Sequence, residues 1–149
     1  MNLCAVPQLE VDVEFIAREH SFTVRGPYDT GSQISFVRKD LVAEHLPNLW
    51  NKLEPCGVRI IGVGGKPLEV SGCLSLDCRV AGRRLQHEFV VARICEPVLI
   101  GMDFIRQHKA IWDWRVGEIR FQREEVMCGV ADIRDRADGL PVTLPLRWS

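Results

Sequence analysis

The sequence predicts an all-β domain, on three observations. At its start Leu9, Val11, Val13 and Phe15 interleave with Glu10, Asp12 and Glu14, the period-two pattern of a strand with one buried face. Runs rich in β-branched residues then recur around short turn signals such as Ala81-Gly82 and Val116-Gly117, as hairpins require. Helical patterning is limited to two brief stretches, 38–46 and 102–108.

Taken in order, Ala17 to His20 is a short polar turn, and Phe22 and Val24 alternate with Thr23 and Arg25 to bring the chain back as a hairpin. Gly26-Pro27 comes next; proline carries no ladder donor and ends regular pairing. The hairpin delivers the chain to a sharp turn, Tyr28-Asp29-Thr30-Gly31-Ser32. Ile34 to Val37 is a short apolar strand, and Arg38 to Leu46 fits one short helix stopped by Pro47. Asn48 to Pro55 reads as a loop. Between Val58 and Val70, β-branched residues flank a glycine-rich tip, Gly62-Val63-Gly64-Gly65. That describes a mobile β-hairpin; Pro67 and Val70 leave no helix N-terminus on which a phosphate would sit.

Cys73 to Val80 and Leu85 to Ala92 are strands around the turn 81–84, and Pro97 to Gly101 is a short buried strand. Met102 to His108 forms a short helix with Asp103 near its positive end. Residues 111–114 and 118–121 make a last hairpin around Val116-Gly117. From Gln122 the apolar period is lost, and Pro141 and Pro145 exclude a central strand. The expected division is a domain over 1–121 and a tail or linker over 122–149.

Composition narrows the function classes. A chain of 149 residues with 46% hydrophobic residues can bury a real core. Nineteen basic against twenty acidic residues give a net charge of −1, so no nucleic acid partner is expected. No apolar run approaches a membrane span and no signal-peptide order opens the sequence, so no membrane partner is expected either. The six cysteines, at 4, 56, 73, 78, 95 and 128, form no C-x-x-C pair. Free thiols are therefore expected rather than a metal site, in a reducing, cytoplasmic setting.

Asp29-Thr30-Gly31 is the motif with chemical content. A carboxylate on a tight turn, followed by a small hydroxyl residue and a glycine, can be held facing a cleft; the same residues also suit a plain Asx-turn between two strands. A loose internal echo follows, because Val98-Leu99-Ile100-Gly101 again runs a buried strand to a glycine and a helix. The four histidines lack the context of a serine, cysteine or metal hydrolase, since neither G-x-S-x-G nor H-E-x-x-H occurs.

In this order, Asp29-Thr30-Gly31-Ser32, Ile61-Gly62-Val63-Gly64-Gly65, Val98 to Ile105 and Ala110 to Trp114 resemble the retropepsin family, single-lobed aspartic proteases of retroviruses and retrotransposons. The match spans Leu9 to Phe121, and its flavour is closest to Ty3/gypsy-type enzymes. The resemblance implies a closed, retropepsin-like β-barrel with one short C-terminal helix. It implies a homodimer that hydrolyses peptide bonds in a polyprotein without a metal or organic cofactor. Two carboxyls about 3 Å apart cannot both ionise cheaply and share a proton, one activating water and the other polarising the carbonyl. This chain has one Asp-Thr-Gly; a two-fold axis supplies the second.

On the same resemblance Asp29 is catalytic, Thr30 braces the paired loops across the two-fold, and Gly31 brings its amide close to the carboxylate. Ser32 is expected to bond the outer carboxylate oxygen. Gly62 to Gly65 would be the tip of a flap over an extended peptide. Ile61, Val63, Val98 and Ile100 line apolar subsites or, equally, belong to the core.

Two features depart from the family. The stretch before the turn reads Arg25-Gly26-Pro27-Tyr28 where apolar residues are usual. Met102 and Gln33 stand where retroviral members often pair an arginine with an acid. They motivate a rival reading, a catalytically weak retropepsin-like dimerisation or binding module.

Overall fold

The computed structural model describes residues 9–122 except Glu19 and Val58. Most of the expected tail, and residues 1–8, therefore lie outside the described part. Eight strands and two short α-helices follow in the order β1 (Glu10–Ile16), β2 (Ser21–Pro27), β3 (Phe36–Arg38), α1 (Lys39–His45), β4 (Val70–Val80), β5 (Arg83–Ala92), β6 (Val98–Leu99), α2 (Met102–His108), β7 (Ala110–Asp113) and β8 (Glu118–Phe121). The expected all-β class holds, with α1 present besides the C-terminal helix. Pro47–Lys52, which takes in the first part of the loop expected over Asn48 to Pro55, winds into a 3₁₀ helix whose proline sits in its first turn, where a missing N–H costs nothing.

Six strands form one sheet in the order β2-β1-β4-β5-β3-β6, and β7 pairs with β8. Pairing is antiparallel except between β3 and β5. The longest hairpin, β4–β5, turns on Ala81 and Gly82, both at positive φ (50° and 79°). Two such residues match the right-handed twist of the strands they join.

Period two places Val11, Val13 and Phe15 inward from β1, and Leu74, Leu76, Cys78 and Val80 inward from β4. They pack with Phe89, Val98, Ile100 and Phe104 in one core. A smaller apolar cluster of Phe36, Val90 and Ala92 is flanked by Ile34, Ile60, Leu68 and Leu99.

The two edge strands of the sheet, β2 and β6, come together and nearly close it into a barrel. Tyr28 and Ile100 form a parallel bridge, with Ile100 N donating to the Pro27 carbonyl at 3.0 Å and Asp29 N to the Ile100 carbonyl at 2.8 Å. Pro27 thus serves as an acceptor, and its lack of an N–H leaves no donor stranded. Gly26 permits the approach: a Cβ there would lie 1.8 Å from the Val98 carbonyl oxygen.

Candidate active site

The closure of the sheet sets the position of Asp29, which follows directly on the Tyr28–Ile100 bridge. Its carboxylate is half-buried, and Oδ1 accepts the Gly31 amide at 2.9 Å. Ser32 N donates to the Asp29 carbonyl at 3.1 Å. The Asx-turn and the held carboxylate are thus one and the same arrangement. A Cβ on Gly31 would sit 3.2 Å from Oδ1, so glycine leaves the acid its room. Thr30 and Gly31 are exposed at the tip of the turn, free to meet another molecule.

Ser32 departs from expectation. Its hydroxyl donates to the Ile34 carbonyl at 2.7 Å instead of the Asp29 carboxylate. The turn closes tightly enough that this carbonyl, two residues on, is the nearer acceptor.

From behind, the start of α2 supports the turn. Met102 N donates to the Ser32 carbonyl at 2.8 Å and Asp103 N to that of Gln33 at 3.1 Å. Gly101 makes this contact possible, because a Cβ would be 2.4 Å from the Ile34 carbonyl oxygen. Where the resemblance led one to look for an arginine–acid pair, a different brace is built. The Ser35 hydroxyl, fully buried, donates to Asp103 Oδ1 at 2.7 Å and accepts the Gly101 amide at 2.9 Å.

Asp103 continues into two histidines. His87 Nε2 lies 3.2 Å from Asp103 Oδ2, and His87 Nδ1 lies 3.0 Å from His108 Nε2. A carboxylate only accepts, so His87 donates from Nε2, while its Nδ1 and His108 Nε2 share one proton between them. Burial pushes the Asp103 carboxyl up, but hydrogen bonds from His87 and Ser35 and the nearby imidazole outweigh it and leave it below its ordinary value. Burial, with positive charge from His87 and Arg83, brings His108 down to about 4. The sequence reading had Asp103 only as a charge at a helix start. Nothing local marks the network, since Ser35, His87 and Asp103 meet only through the fold.

Val98 and Ile100 are wholly buried in the main core and fall to the core alternative. Leu99, between them, alternates to the other face and joins the smaller cluster with Ile34 and Ile60; period two marks it as the outward residue of that strand. Residues 60–68 form a pinched hairpin. Leu68 N donates to the Ile60 carbonyl at 3.0 Å and Gly62 N to that of Lys66 at 2.8 Å. Gly64 and Gly65 hold positive φ at its tip (88° and 81°) with open space around them, and Ile61 is 51% exposed. Asp113 is buried and binds Arg115 and Arg120. Among the described residues no group of three or more histidine, cysteine, aspartate or glutamate side chains is arranged to hold a metal ion.

No family model and no curated protein sequence matches the chain. Among solved structures it is similar to the retroviral protease-like domain of Ddi1 from Leishmania major, with a TM-score of 0.62 and 20% identity, covering 79% of this chain and 90% of that one. It is also similar to EIAV protease complexed with the inhibitor HBY-793, with a TM-score of 0.45 and 23% identity, covering 72% of this chain and 91% of that one. At these identities the likeness is one of fold, and the fold is retropepsin-like.

Proposed function

We propose that the protein is an aspartic endopeptidase of retropepsin type, completed when two copies pair and each contributes Asp29. The observation that carries this reading is the placement of Asp29. A half-buried carboxylate, oriented by the Gly31 amide, stands where the two edges of the sheet meet, with Thr30 and Gly31 exposed beside it. Two such turns across a two-fold axis would set the acids side by side, one ionised to take a proton from water and one protonated to polarise the scissile carbonyl. The apparent pKa values would belong to the pair.

The hairpin 60–68 then acts as the flap, its tip free to close over an extended peptide and exclude water. Ile61 and Leu99 are assigned to apolar subsites; the side chain of Val63, expected beside them, lies outside the described part. The substrate is an extended polypeptide, in the first instance a polyprotein containing this domain, and the setting is the cytosol. Activity is expected in mildly acid solution, where the pair holds one proton.

The test is cleavage of a casein-like substrate by the purified protein from pH 4 to 7, with and without pepstatin, beside sedimentation over a range of concentrations. Pepstatin-sensitive cleavage that rises with dimer content is the expected result. Absence of cleavage from a protein that dimerises would favour the binding-module reading.

A further inference from the structure

Two thiols meet at the root of the glycine-rich hairpin, one on each side of it. Cys56 precedes the hairpin and Cys73 lies on β4 just after it; both are half-buried. The chain two residues before Cys56 is tied to β4 at Cys73, since Glu54 N donates to the Cys73 carbonyl at 3.1 Å and Cys73 N to the Glu54 carbonyl at 2.8 Å. Gly72 makes the approach possible. Its φ is +148°, and a Cβ there would lie 2.8 Å from the Glu54 carbonyl oxygen and 3.2 Å from the Leu53 Cβ. The two thiols pack against the same small apolar cluster and line one cavity of about 240 Å³ with Ile60, Val90 and Asp103. Of the other described cysteines, Cys78 is sealed in the core and Cys95 stands exposed.

We propose that Cys56 and Cys73 are a reversible dithiol–disulfide pair, oxidised by a small disulfide of the glutathione class, whose bond pins the root of the hairpin to β4. The Cys56 thiolate attacks one sulfur of the small disulfide, forms a mixed disulfide and expels one small thiol. The Cys73 sulfur then attacks Cys56 Sγ, expels the second small thiol and gives its own proton to solvent. Two cysteine thiols lose two electrons and two protons, and one small disulfide becomes two thiols. The order follows from the surroundings. Burial, the neighbouring Cys56 and the negative charge of Glu88 and Glu54 push the Cys73 thiol up to about 12, which keeps it protonated and makes it the resolving partner.

The bond would close residues 57–72 into a loop and restrict the hairpin within it. That this slows peptide entry rests on the flap role proposed above; the bond itself does not. The experiment treats the full chain with oxidised glutathione, digests it with trypsin and an enzyme cutting before aspartate, and maps the products by mass spectrometry. The expected product joins Leu53–Arg59 to Ile60–Leu76, within one chain. Dithiothreitol should reverse it, and Cys56→Ser and Cys73→Ser should each abolish it. Amide exchange at Gly62 to Gly65 should slow several-fold on oxidation. Glutathione adducts alone, or links through other cysteines, would overturn the pairing; unchanged exchange with the bond formed would overturn the pinning. Neither readout uses peptide cleavage, so failure here is distinct from failure of the proposed activity.

Discussion

The Ser35 hydroxyl donates to the Asp103 carboxylate at 2.7 Å across 68 residues of sequence, and through this bond the strand after the Asp29 turn is fastened to the helix behind it. The same hydroxyl accepts the Gly101 amide, so one buried oxygen serves both the turn's support and the start of α2. Loss of this one atom leaves the Gly101 N–H without its partner and removes one of two donors to Asp103 Oδ1, the other being the Phe104 amide at 2.7 Å. Ser35→Ala is expected to lower unfolding stability by about 1–3 kcal/mol. Urea denaturation measures it, and a change inside the error of the midpoint would remove the brace from the account.

Acid should weaken the same region. His108 is neutral in the fold down to about 4, whereas the ordinary value of a histidine is 6.5. Between those values the unfolded chain binds a proton that the folded chain refuses, so stability falls as pH drops from about 6.5 to about 4. The side chain is partly exposed, and the expected loss is on the order of 1–2 kcal/mol after allowing for solvent. The lowered Asp103 carboxyl adds a further loss at the acid end, once it too is protonated. Denaturation midpoints across this range should slope in the wild type and flatten in His108→Gln. The range overlaps the mildly acid window proposed for activity, so catalysis and loosening of the network would compete there.

Two glycines should respond in opposite ways. Gly101→Ala places a methyl against the Ile34 and Ser32 carbonyl oxygens, at 2.4 and 2.8 Å, and backbone atoms cannot swing aside. Its expected cost is on the order of 3–5 kcal/mol, with the Asp29 turn displaced. Gly64→Ala meets no atom but must hold φ at +88°, a local strain of about 1–2 kcal/mol borne by a loop outside the core. Thermal melts should separate the two variants. On the proposed function, Gly64→Ala should lower kcat/KM several-fold while the melt falls by only a few degrees, far less than in Gly101→Ala.

Much of this was legible in the sequence because period two and turn chemistry are local signals. Val11, Val13 and Phe15 face inward as their alternation says, and Met102–His108 is the expected helix to the residue. The strand ends were less legible: β4 begins at Val70 rather than Cys73 because Val70 and Gly72 pair with Ala92 and Val91 of β5 across a shift in register, an irregularity that no local pattern names. Asp29 announced itself through its neighbours, whereas Ser35 and His87 did not. A serine in an apolar strand and a histidine on a β-strand become a network only when Asp103 arrives between them.

The sharing of a catalytic pair between two copies is tested most directly by mixing wild-type protein with a ninefold excess of Asp29→Asn at concentrations where dimers dominate. Random pairing leaves each wild-type subunit with a wild-type partner about one time in ten, so cleavage per wild-type subunit should fall to about a tenth, with Asp29→Asn inactive alone. Cleavage that is unaffected by the added variant, or an Asp29→Asn protein that cleaves by itself, would contradict a site built from one aspartate of each copy.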